Sequence, residues 1–250
     1  MKVKAYVAEF IGTFALVWVG IYAIHHLASA PSGLLGIAIA HGLAIGILAS
    51  ATMHVSGGHL NPSVTLAMLM TRRIKFIDAL CYIIVQLAAG FVAAWLIKSV
   101  GLFNGPSAVD GVQTVMQGTP AIADALNGRG LPAHDAVMSA WLLEAIATFF
   151  LVFAIFGTAV DKRSHKVGGL YIGLAVTMGI LAIGPLTGAA LNPARWMGPA
   201  MLSGVGANSA YTLPELFWVY CMGPITGAIV AGFVYQFVMM DRDQWITKAT

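Results

Sequence analysis

The sequence consists of long apolar runs separated by short polar or glycine-containing stretches. A helix needs about 20 apolar residues to cross the hydrocarbon core of a bilayer. Two apolar runs, about 61–71 and 192–202, are too short to cross. The pattern therefore predicts an all-α membrane protein with six transmembrane helices and two re-entrant half-helices. The six spans are predicted at roughly 5–26, 33–55, 78–99, 137–160, 167–186 and 214–240.

The two short runs open with the same dipeptide, Asn-Pro. Asparagine is a favoured N-cap residue, and proline fits the first helical turn, where its missing N–H costs nothing. Asn61-Pro62 and Asn192-Pro193 therefore each predict the start of a short helix.

The two halves of the chain repeat one pattern. The segment Val7–Phe14 resembles the segment Leu142–Phe149, with a glutamate at the same place in each. Each half holds three spans and one half-helix, and because three is odd, the second half enters the bilayer from the opposite face. This predicts an inverted repeat about an axis in the membrane plane, with the functional site near the midplane at the half-helix N-termini. We expect one channel-like domain over 1–250, with repeats of about 1–105 and 137–250 and an outer loop of about 101–136.

The composition excludes a soluble globular protein. Hydrophobic residues make up 59% of the chain and charged residues 9%, against about 25% charged residues in a typical soluble domain. The mean hydropathy is +0.84, so the expected partner is the lipid bilayer, and no nucleic-acid partner is expected. Cys81 and Cys221 lie in apolar runs without metal-ligand spacing, and no nucleophile–base motif is present. We therefore expect no metal, no cofactor and no enzymatic activity.

The basic residues predict the orientation of the chain. With a cytoplasmic N-terminus, six spans leave the C-terminus in the cytoplasm too, and most lysines and arginines fall on that side, as the positive-inside rule requires. Arg72, Arg73 and Lys75 are expected to face lipid head groups and the cytoplasm. The very short segment before the first span favours the plasma (inner) membrane over a vacuolar membrane. The inner residues are Lys2, Lys4, Arg72, Arg73, Lys75, Lys162, Arg163, Lys166, Arg242 and Lys248, and the outer residues are Lys98 and Arg129.

Half-helices that enter from opposite faces would meet at the midplane as one pseudo-continuous span. Each N-terminus carries roughly half a positive elementary charge. Irregular backbone at membrane depth is tolerated only where it is buried or lines a wet cavity. A path with backbone carbonyls, two asparagine amides and a positive field at its centre suits a neutral dipolar solute, and it opposes cations because their desolvation is costly.

Two longer motifs surround the asparagines. They are Ser56-Gly57-Gly58-His59-Leu60-Asn61-Pro62-Ser63-Val64-Thr65 and Leu191-Asn192-Pro193-Ala194-Arg195. Both resemble motifs of the major intrinsic protein family, the aquaporins, and the resemblance extends over nearly the whole chain. It implies a passive transmembrane water channel that assembles as a homotetramer with one pore per subunit. Ser63 departs from the alanine usual in the family, and we expect a small change in packing with the pore kept.

The resemblance also implies a narrow selectivity filter at His41, Ile180, Ala189 and Arg195, a set similar to that of the plant tonoplast intrinsic proteins. Arg195 is always charged, and it would donate to the solute and repel cations. Trp196 stands where glycerol facilitators carry an aspartate, which argues against a dedicated glycerol channel. Ile180 and Ala189 predict a wider apolar wall, so ammonia, urea, hydrogen peroxide and glycerol are candidate solutes besides water.

Other polar residues leave alternatives open. Glu9 and Glu144 are the carboxylates deep in the predicted spans, and the resemblance gives them and His59 the role of supporting the re-entrant loops. A proton-carrying role for the glutamates would instead make the chain a coupled secondary transporter of a small solute. In a further alternative, Arg195 pairs with one of these glutamates. His134, in the outer loop, is a candidate for the outer mouth of the pore.

Overall fold

A computed structural model describes residues 2–103, 118–123, 126, 132–164, 167–204 and 210–245. All regular secondary structure in these residues is helical. Six of the helices are long and apolar enough to cross a membrane. The predicted six-span architecture is therefore confirmed, with helix ends a few residues from those expected. The spans are α1 (Lys2–Leu27), α2 (Gly33–Ser56), α4 (Phe76–Phe103), α5 (Ala133–Val160), α6 (Gly168–Thr187) and α8 (Leu213–Met239).

The two short runs form the half-helices α3 (Pro62–Met70) and α7 (Pro193–Ser203). Each begins at the proline after an asparagine in extended conformation, with φ of −158° at Asn61 and −153° at Asn192. Each asparagine side-chain oxygen accepts a hydrogen bond from the backbone N–H two residues further on, at 2.8 and 2.9 Å. Both N-caps predicted by the Asn-Pro dipeptides are thus formed, because the side chain replaces an acceptor that the first turn lacks.

Two spans contain wider, π-helical turns. They lie at Phe156–Val160 in α5 and at Trp218–Met222 and Tyr235–Met239 in α8. Pro224 follows the first wide turn of α8. A proline cannot donate to the carbonyl four residues before it, and its ring clashes with that carbonyl in a regular α-helix. The wide turn lets the span continue past Pro224, and the apolar pattern alone does not predict it.

Glycines bring the backbones of neighbouring helices into direct contact. α2 packs on α6 so closely that a Cβ added to Gly173 would lie 3.0 Å from the Cα of Gly46. Gly90 of α4 lies against the carbonyl of Ala194 in α7. Small residues permit such approach between membrane helices, whose association depends on van der Waals contact because lipid tails are as apolar as the side chains.

The distribution of polarity is the reverse of that in a soluble protein. Large apolar side chains face outward on the spans, where lipid would surround them; examples are Ile11, Leu43, Ile84, Phe150 and Val230. Charged and polar side chains lie fully buried inside the bundle; examples are Glu9, Gln86, Glu144 and Arg195. Polar groups inside a membrane protein mark solute paths or the structures that support them.

One end of the bundle, here called the basic end, carries most of the described basic residues. Lys2 pairs with Asp78 across 2.8 Å, and the side chain of Gln244 accepts a hydrogen bond from the N–H of Lys162 at 2.9 Å. The first and last described residues therefore lie at the same end as the α3–α4 and α5–α6 turns. Lys98 lies near the far end of α4, at the opposite end of the bundle. Arg129, Lys166 and Lys248 lie outside the described residues.

Candidate functional site

The N-terminal ends of α3 and α7 face each other and are joined by two reciprocal hydrogen bonds. The side-chain N–H of Asn61 donates to the carbonyl of Leu191 at 2.8 Å, and that of Asn192 donates to the carbonyl of Leu60 at 2.9 Å. Each amide carries two hydrogens, and one of them is used for this bond. The positive ends of both half-helices, where backbone N–H groups lack intrahelical partners, therefore meet inside the bundle.

The chain reaches this point through left-handed backbone. Leu60 and Leu191 have φ of 51° and 54°, and Ala189 has φ of 45°. Such values are uncommon for residues with a Cβ, and they cost of order 1–3 kcal/mol each. At both leucines, the carbonyl of the strained residue is the one that accepts the asparagine bond from the other half. The strain must therefore be offset by the contacts that hold these loops.

The Glu9 carboxylate provides those contacts in the first half. Its Oε1 accepts from the Ser56 hydroxyl at 2.6 Å and from the His59 N–H at 2.9 Å. Its Oε2 accepts from the Leu60 N–H at 2.6 Å and from the Gln86 amide at 2.8 Å. Glu9 is fully buried, so these four bonds replace the water that the carboxylate lost.

Glu144 holds the second loop in the same way. Its Oε1 accepts from the Thr187 hydroxyl at 2.7 Å and from the Ala190 N–H at 2.9 Å. Its Oε2 accepts from the Leu191 N–H at 2.8 Å. Both glutamates thus place the backbone immediately before each asparagine, and this geometry is the one implied for loop-supporting residues.

Two further pairs of residues help the glutamates to hold the loops, and none of them was assigned this role from the sequence, although Ser56 begins the first motif. Ser56 and Thr187 each end a span and donate their hydroxyls to the glutamate of their half. Tyr82 and Tyr220 donate to the carbonyls of these residues at 2.9 and 2.8 Å. Both pairs occupy equivalent places in the two halves, so a comparison of polar residues between the repeats was the signal that could have identified them.

His59 continues the network in the first half alone. Its ring Nδ1 lies 3.1 Å from the hydroxyl of Thr65, and that hydroxyl accepts from the Gln86 amide at 3.0 Å. The equivalent positions in the second half are Ala190 and Trp196. Alanine has no polar side-chain group, and the indole N–H of Trp196 has no hydrogen-bond partner among the described residues. The two halves therefore share their carboxylate supports but differ in polarity around α3.

A narrow cavity runs past the two asparagines. Its volume is only about 30 Å³, and its wall includes both asparagines and the four residues of the predicted filter. A second cavity of about 250 Å³ continues towards the basic end and shares wall residues with the first. The shared residues are Gly58, His59, Val64, Ile155 and Ile172. The structure thus brings the predicted filter residues His41, Ile180, Ala189 and Arg195 to the wall of the conduit that passes the half-helix ends.

Arg195 lies in the wall of this conduit and is only 1% exposed. Its Nε–H lies 3.4 Å from Nε2 of His41, and its Nη1 donates to the carbonyl of Gly118 at 2.8 Å. His41 Nδ1 lies 2.8 Å from the carbonyl of Ile37. Because a carbonyl only accepts, Nδ1 carries the proton and Nε2 is left to accept from Arg195. Nη2 of Arg195 has no hydrogen-bond partner among the described residues.

The alternative ion pairs of Arg195 are not found. Within the described ranges, neither Glu9 nor Glu144 forms an ion pair with Arg195. The guanidinium is held by a neutral ring and a backbone carbonyl, so its charge is not cancelled by a contacting carboxylate.

Gly118 is a contact that the sequence does not reveal. It belongs to the segment predicted as an outer loop, yet its carbonyl reaches the buried guanidinium of Arg195. The same segment packs on the second re-entrant loop, where a Cβ on Gly188 would lie 2.8 Å from the Cα of Pro120. A backbone carbonyl has no sequence signature, so this contact requires the three-dimensional structure.

The remaining predicted site residues lie in three different settings. Pro62 and Pro193 open the half-helices, and Ala194 is buried against α4. Ser63 is fully buried, and its hydroxyl has no hydrogen-bond partner among the described residues. His134 has a side chain that is 81% exposed and lies 3.4 Å from Asp135. His134 is not part of the cavity wall, and its role at the outer mouth stays a prediction.

Comparison with known proteins agrees with this arrangement. A family model described as Major intrinsic protein matches residues 1–235. "Aquaporin TIP4-4" of Zea mays is 37% identical over 250 residues, covering 96% of this chain and 88% of that protein. "Probable aquaporin TIP2-1" of Oryza sativa subsp. japonica is 34% identical over 257 residues, covering 97% and 90%.

A solved structure gives independent support for the fold. The aquaglyceroporin from Plasmodium falciparum superposes with a TM-score of 0.78 at 22% identity, covering 96% of this chain and 97% of that one. At this identity the likeness shows the fold alone, whereas the family match and the relatives above rest on the sequence. The chain is a multi-pass membrane protein and belongs to the major intrinsic protein family.

Proposed function

We propose that this chain is a passive transmembrane channel for water and small neutral solutes. The observation that carries the proposal is the conduit that passes both half-helix ends and is lined by Asn61, Asn192 and Arg195. The printed names of the relatives, which are aquaporins, agree with it. The repeats of about 1–105 and 137–250 act in this proposal as two halves of one channel.

The asparagines orient water at the centre. One N–H of each amide is bonded to the opposite loop, and the second N–H of each can donate to the oxygen of a passing water. A water that accepts from both amides directs its own hydrogens away from the centre, towards the two openings. Backbone carbonyls of the re-entrant loops accept those hydrogens, which replaces the hydrogen bonds the water had in bulk solvent.

Charge exclusion follows from the same geometry. A cation at the centre would face two helix ends that each carry roughly half a positive charge. It would also have to pass Arg195, whose guanidinium contacts no carboxylate of the described residues. A neutral solute meets neither penalty, and Nη2 of Arg195 is a donor that it can use.

The filter residues also set the solute range of the proposed channel. Ile180 and Ala189 give apolar sides to the conduit opposite the polar pair of His41 and Arg195. A solute that can accept from Arg195 and tolerates an apolar wall suits this opening. We propose that ammonia, urea, hydrogen peroxide and glycerol are candidate solutes besides water. Urea flux is the most informative measurement, because urea is neutral and a strong hydrogen-bond acceptor.

The coupled transporter is the second candidate, and the glutamates bear on it. A proton carrier must release its hydrogen bonds and exchange protons with the solute path. Glu9 and Glu144 instead accept four and three hydrogen bonds from loop and helix groups. Protonation would break bonds that hold strained backbone, so these contacts favour a structural role and a passive channel.

Assembly and location are further parts of the proposal. The resemblance implies a homotetramer. Cross-linking in native membranes would test it, because a tetramer gives products of up to four subunits. The TIP-type names of the relatives favour a vacuolar membrane, whereas the sequence predicts the plasma (inner) membrane with both termini in the cytoplasm. Imaging of the tagged full chain in its own cells distinguishes the two membranes.

Water flux into proteoliposomes tests the central proposal. Ile180 lines the conduit, whereas Met178 on the same helix is 50% exposed on the outer surface. Stopped-flow shrinkage should be faster with the parent chain than with empty vesicles. Ile180→Trp should lose most of that gain because the indole fills the conduit, and Met178→Trp should keep it. Equal flux for parent and empty vesicles, or equal loss in both variants, would refute a channel through this conduit.

A further inference from the structure

A second arginine lies on the conduit, at its basic end. Arg73 follows α3 and is half-buried, and it lines the 250 Å³ cavity together with Gly58 and His59. The sequence predicts that Arg73 faces lipid head groups and the cytoplasm. That prediction is wrong for Arg73, because the turn after α3 directs its side chain inward against α5 and α8.

Neutral groups hold the guanidinium of Arg73 in place. Its Nη2 lies within hydrogen-bonding reach of the side-chain oxygen of Gln236 at 3.3 Å, the sulfur of Met240 at 2.9 Å and the carbonyl of Gln244 at 3.2 Å. Its central carbon lies 5.5 Å from the ring centroid of Phe156. None of these groups carries a negative charge, so the contacts fix the position of the arginine without cancelling its charge.

The carboxylate of Asp161, which acts on Arg73 through space, is hydrogen-bonded to another partner. Asp161 accepts from Arg163 through both oxygens, with Nη2 at 2.6 Å from Oδ2 and Nε at 3.0 Å from Oδ1. Hydrogen bonds from Arg163 hold the pKa of the Asp161 carboxyl well below its usual range. Tyr235 and Gln244 also lie within bonding distance of this carboxylate. Arg163 also pairs with Asp241 across 3.2 Å, so both carboxylates are engaged by Arg163, and no carboxylate of the described residues forms an ion pair with Arg73.

The segment after α8 keeps the arginine at the opening. The Trp245 indole N–H donates to the carbonyl of Met240 at 3.2 Å, and the Gln244 side chain binds the N–H of Lys162. This segment is therefore fixed to the α5–α6 turn, while the sulfur of Met240 and the carbonyl of Gln244 accept hydrogen bonds from Arg73. A guanidinium fixed at this opening keeps a positive potential there, unlike a mobile surface arginine.

We propose that Arg73 is a specificity-determining residue of the channel. Its guanidinium, positioned by the segment Met240–Gln244, makes the cavity at the basic end electropositive, so that cations are opposed there before they reach the half-helices. The conduit then carries one fixed arginine at each side of the asparagines, Arg195 and Arg73. This inference rests on the proposed channel function, but it concerns the potential in the cavity and can be tested without measuring flux.

The potential can be measured with charged thiol reagents. Ala159 lines the same cavity, so Ala159→Cys introduces a reporter there, in a chain whose Cys81 is replaced by serine. Cys221 is buried and is left unchanged. The chain without Ala159→Cys measures the background modification of Cys221. The rates of modification by an anionic and a cationic methanethiosulfonate are compared in proteoliposomes at low salt. The ratio of the two rates reports the sign and size of the local potential.

Removing the charge should change this ratio in one direction. A unit charge roughly 8 Å away in water alters the anionic-to-cationic ratio by about fivefold. We expect Arg73→Gln to lower the ratio by about that factor and Arg73→Lys to keep it within about twofold of the parent. Arg72→Gln is the matched control, because Arg72 is the neighbouring exposed arginine and does not line the cavity.

Each outcome decides the proposal. An unchanged ratio in Arg73→Gln, or an equal fall in Arg72→Gln, would overturn it, since the potential would then come from elsewhere. If Arg73→Gln does not fold, the ratio of modification rates in the parent reporter chain still tests the proposal. At low salt this ratio should favour the anionic reagent. Near 1 M salt, where charges are screened within about 3 Å, it should approach the ratio for a free thiol in solution. A parent ratio equal to that of the free thiol at low salt would overturn it. Water flux in the same vesicles shows separately whether the channel function fails.

Discussion

Replacing Glu144 by glutamine tests whether the buried carboxylate holds the second re-entrant loop. The glutamine keeps the shape but offers one acceptor oxygen and one NH₂ group where the carboxylate offered two acceptors. With the oxygen towards Thr187 and Ala190, the NH₂ group faces the N–H of Leu191, and the reverse orientation leaves Ala190 without an acceptor. Either way at least one buried backbone N–H is orphaned.

The magnitude follows from that count. An orphaned buried N–H costs about 1–3 kcal/mol, and the lost bond to a charged acceptor is at the stronger end of hydrogen-bond energies. We expect Glu144→Gln to lower the free energy of unfolding by about 2 kcal/mol. Glu144→Ala removes all three acceptor contacts and should cost roughly 3–9 kcal/mol, which is comparable with the whole stability of a typical domain.

Unfolding in mixed detergent micelles, followed by far-ultraviolet circular dichroism, measures the effect. Asp135→Asn is the matched control, because it removes a carboxylate from the same helix at a side chain that is 52% exposed. The control should change stability by less than about 1 kcal/mol. If Glu144→Gln were as stable as the parent while proton-dependent uptake disappeared, Glu144 would be a proton carrier and the structural interpretation would be refuted.

Three further changes have expected outcomes from single contacts. Ser63→Ala removes a buried hydroxyl that has no described partner, so the unfolding free energy should rise by about 1 kcal/mol with water flux unchanged; a loss of stability would reveal a missed bond. Gly173→Ala drives a Cβ into the backbone carbonyl of Gly42 and to 3.0 Å from the Cα of Gly46, so it should lower stability by about 3 kcal/mol, the upper end of the usual cost of overpacking; unchanged stability would show that α2 and α6 can separate freely. Asp161 has a folded-state pKa held below its usual value by Arg163, so its stabilisation should be full at pH 7 and lost as the pH falls below about 4. The stability difference between parent and Asp161→Asn should narrow accordingly, and a difference that is constant from pH 7 to pH 3 would contradict the assignment.

The helices were predictable because each has a strong local cause. Continuous apolar length determines the six spans, and the Asn-Pro dipeptides determine the starts of α3 and α7, since an N-cap and a proline act within one turn. The π-helical turn before Pro224 was not predictable in this way. A proline in an apolar run is compatible with a kink, a break or a wide turn, and the packing around α8 decides between them.

The sequence predicts residues for the site, but it does not predict their contacts. The repeat indicates that Glu9 and Glu144 are equivalent, yet it does not show that both carboxylates bind the two N–H groups before each asparagine. The carbonyl of Gly118 that holds Arg195 has no side chain to signal it. For Arg73 the sequence was misleading, because a charged residue in a turn is expected to be solvated at the surface. Its side chain points inward, towards hydrogen-bond acceptors that lie more than 160 positions away in the sequence.

The crossed bonds between Asn61 and Leu191 and between Asn192 and Leu60 have a consequence for biosynthesis. The first half of the chain is synthesised and enters the bilayer before the second half. Until α7 is made, the side-chain amide of Asn61 and the carbonyl of Leu60 lack their hydrogen-bond partners. Water or a membrane insertase that forms hydrogen bonds to these groups would therefore stabilise the intermediate until α7 is inserted. We therefore expect that neither half folds completely by itself and that loss of either asparagine impairs maturation of both halves together.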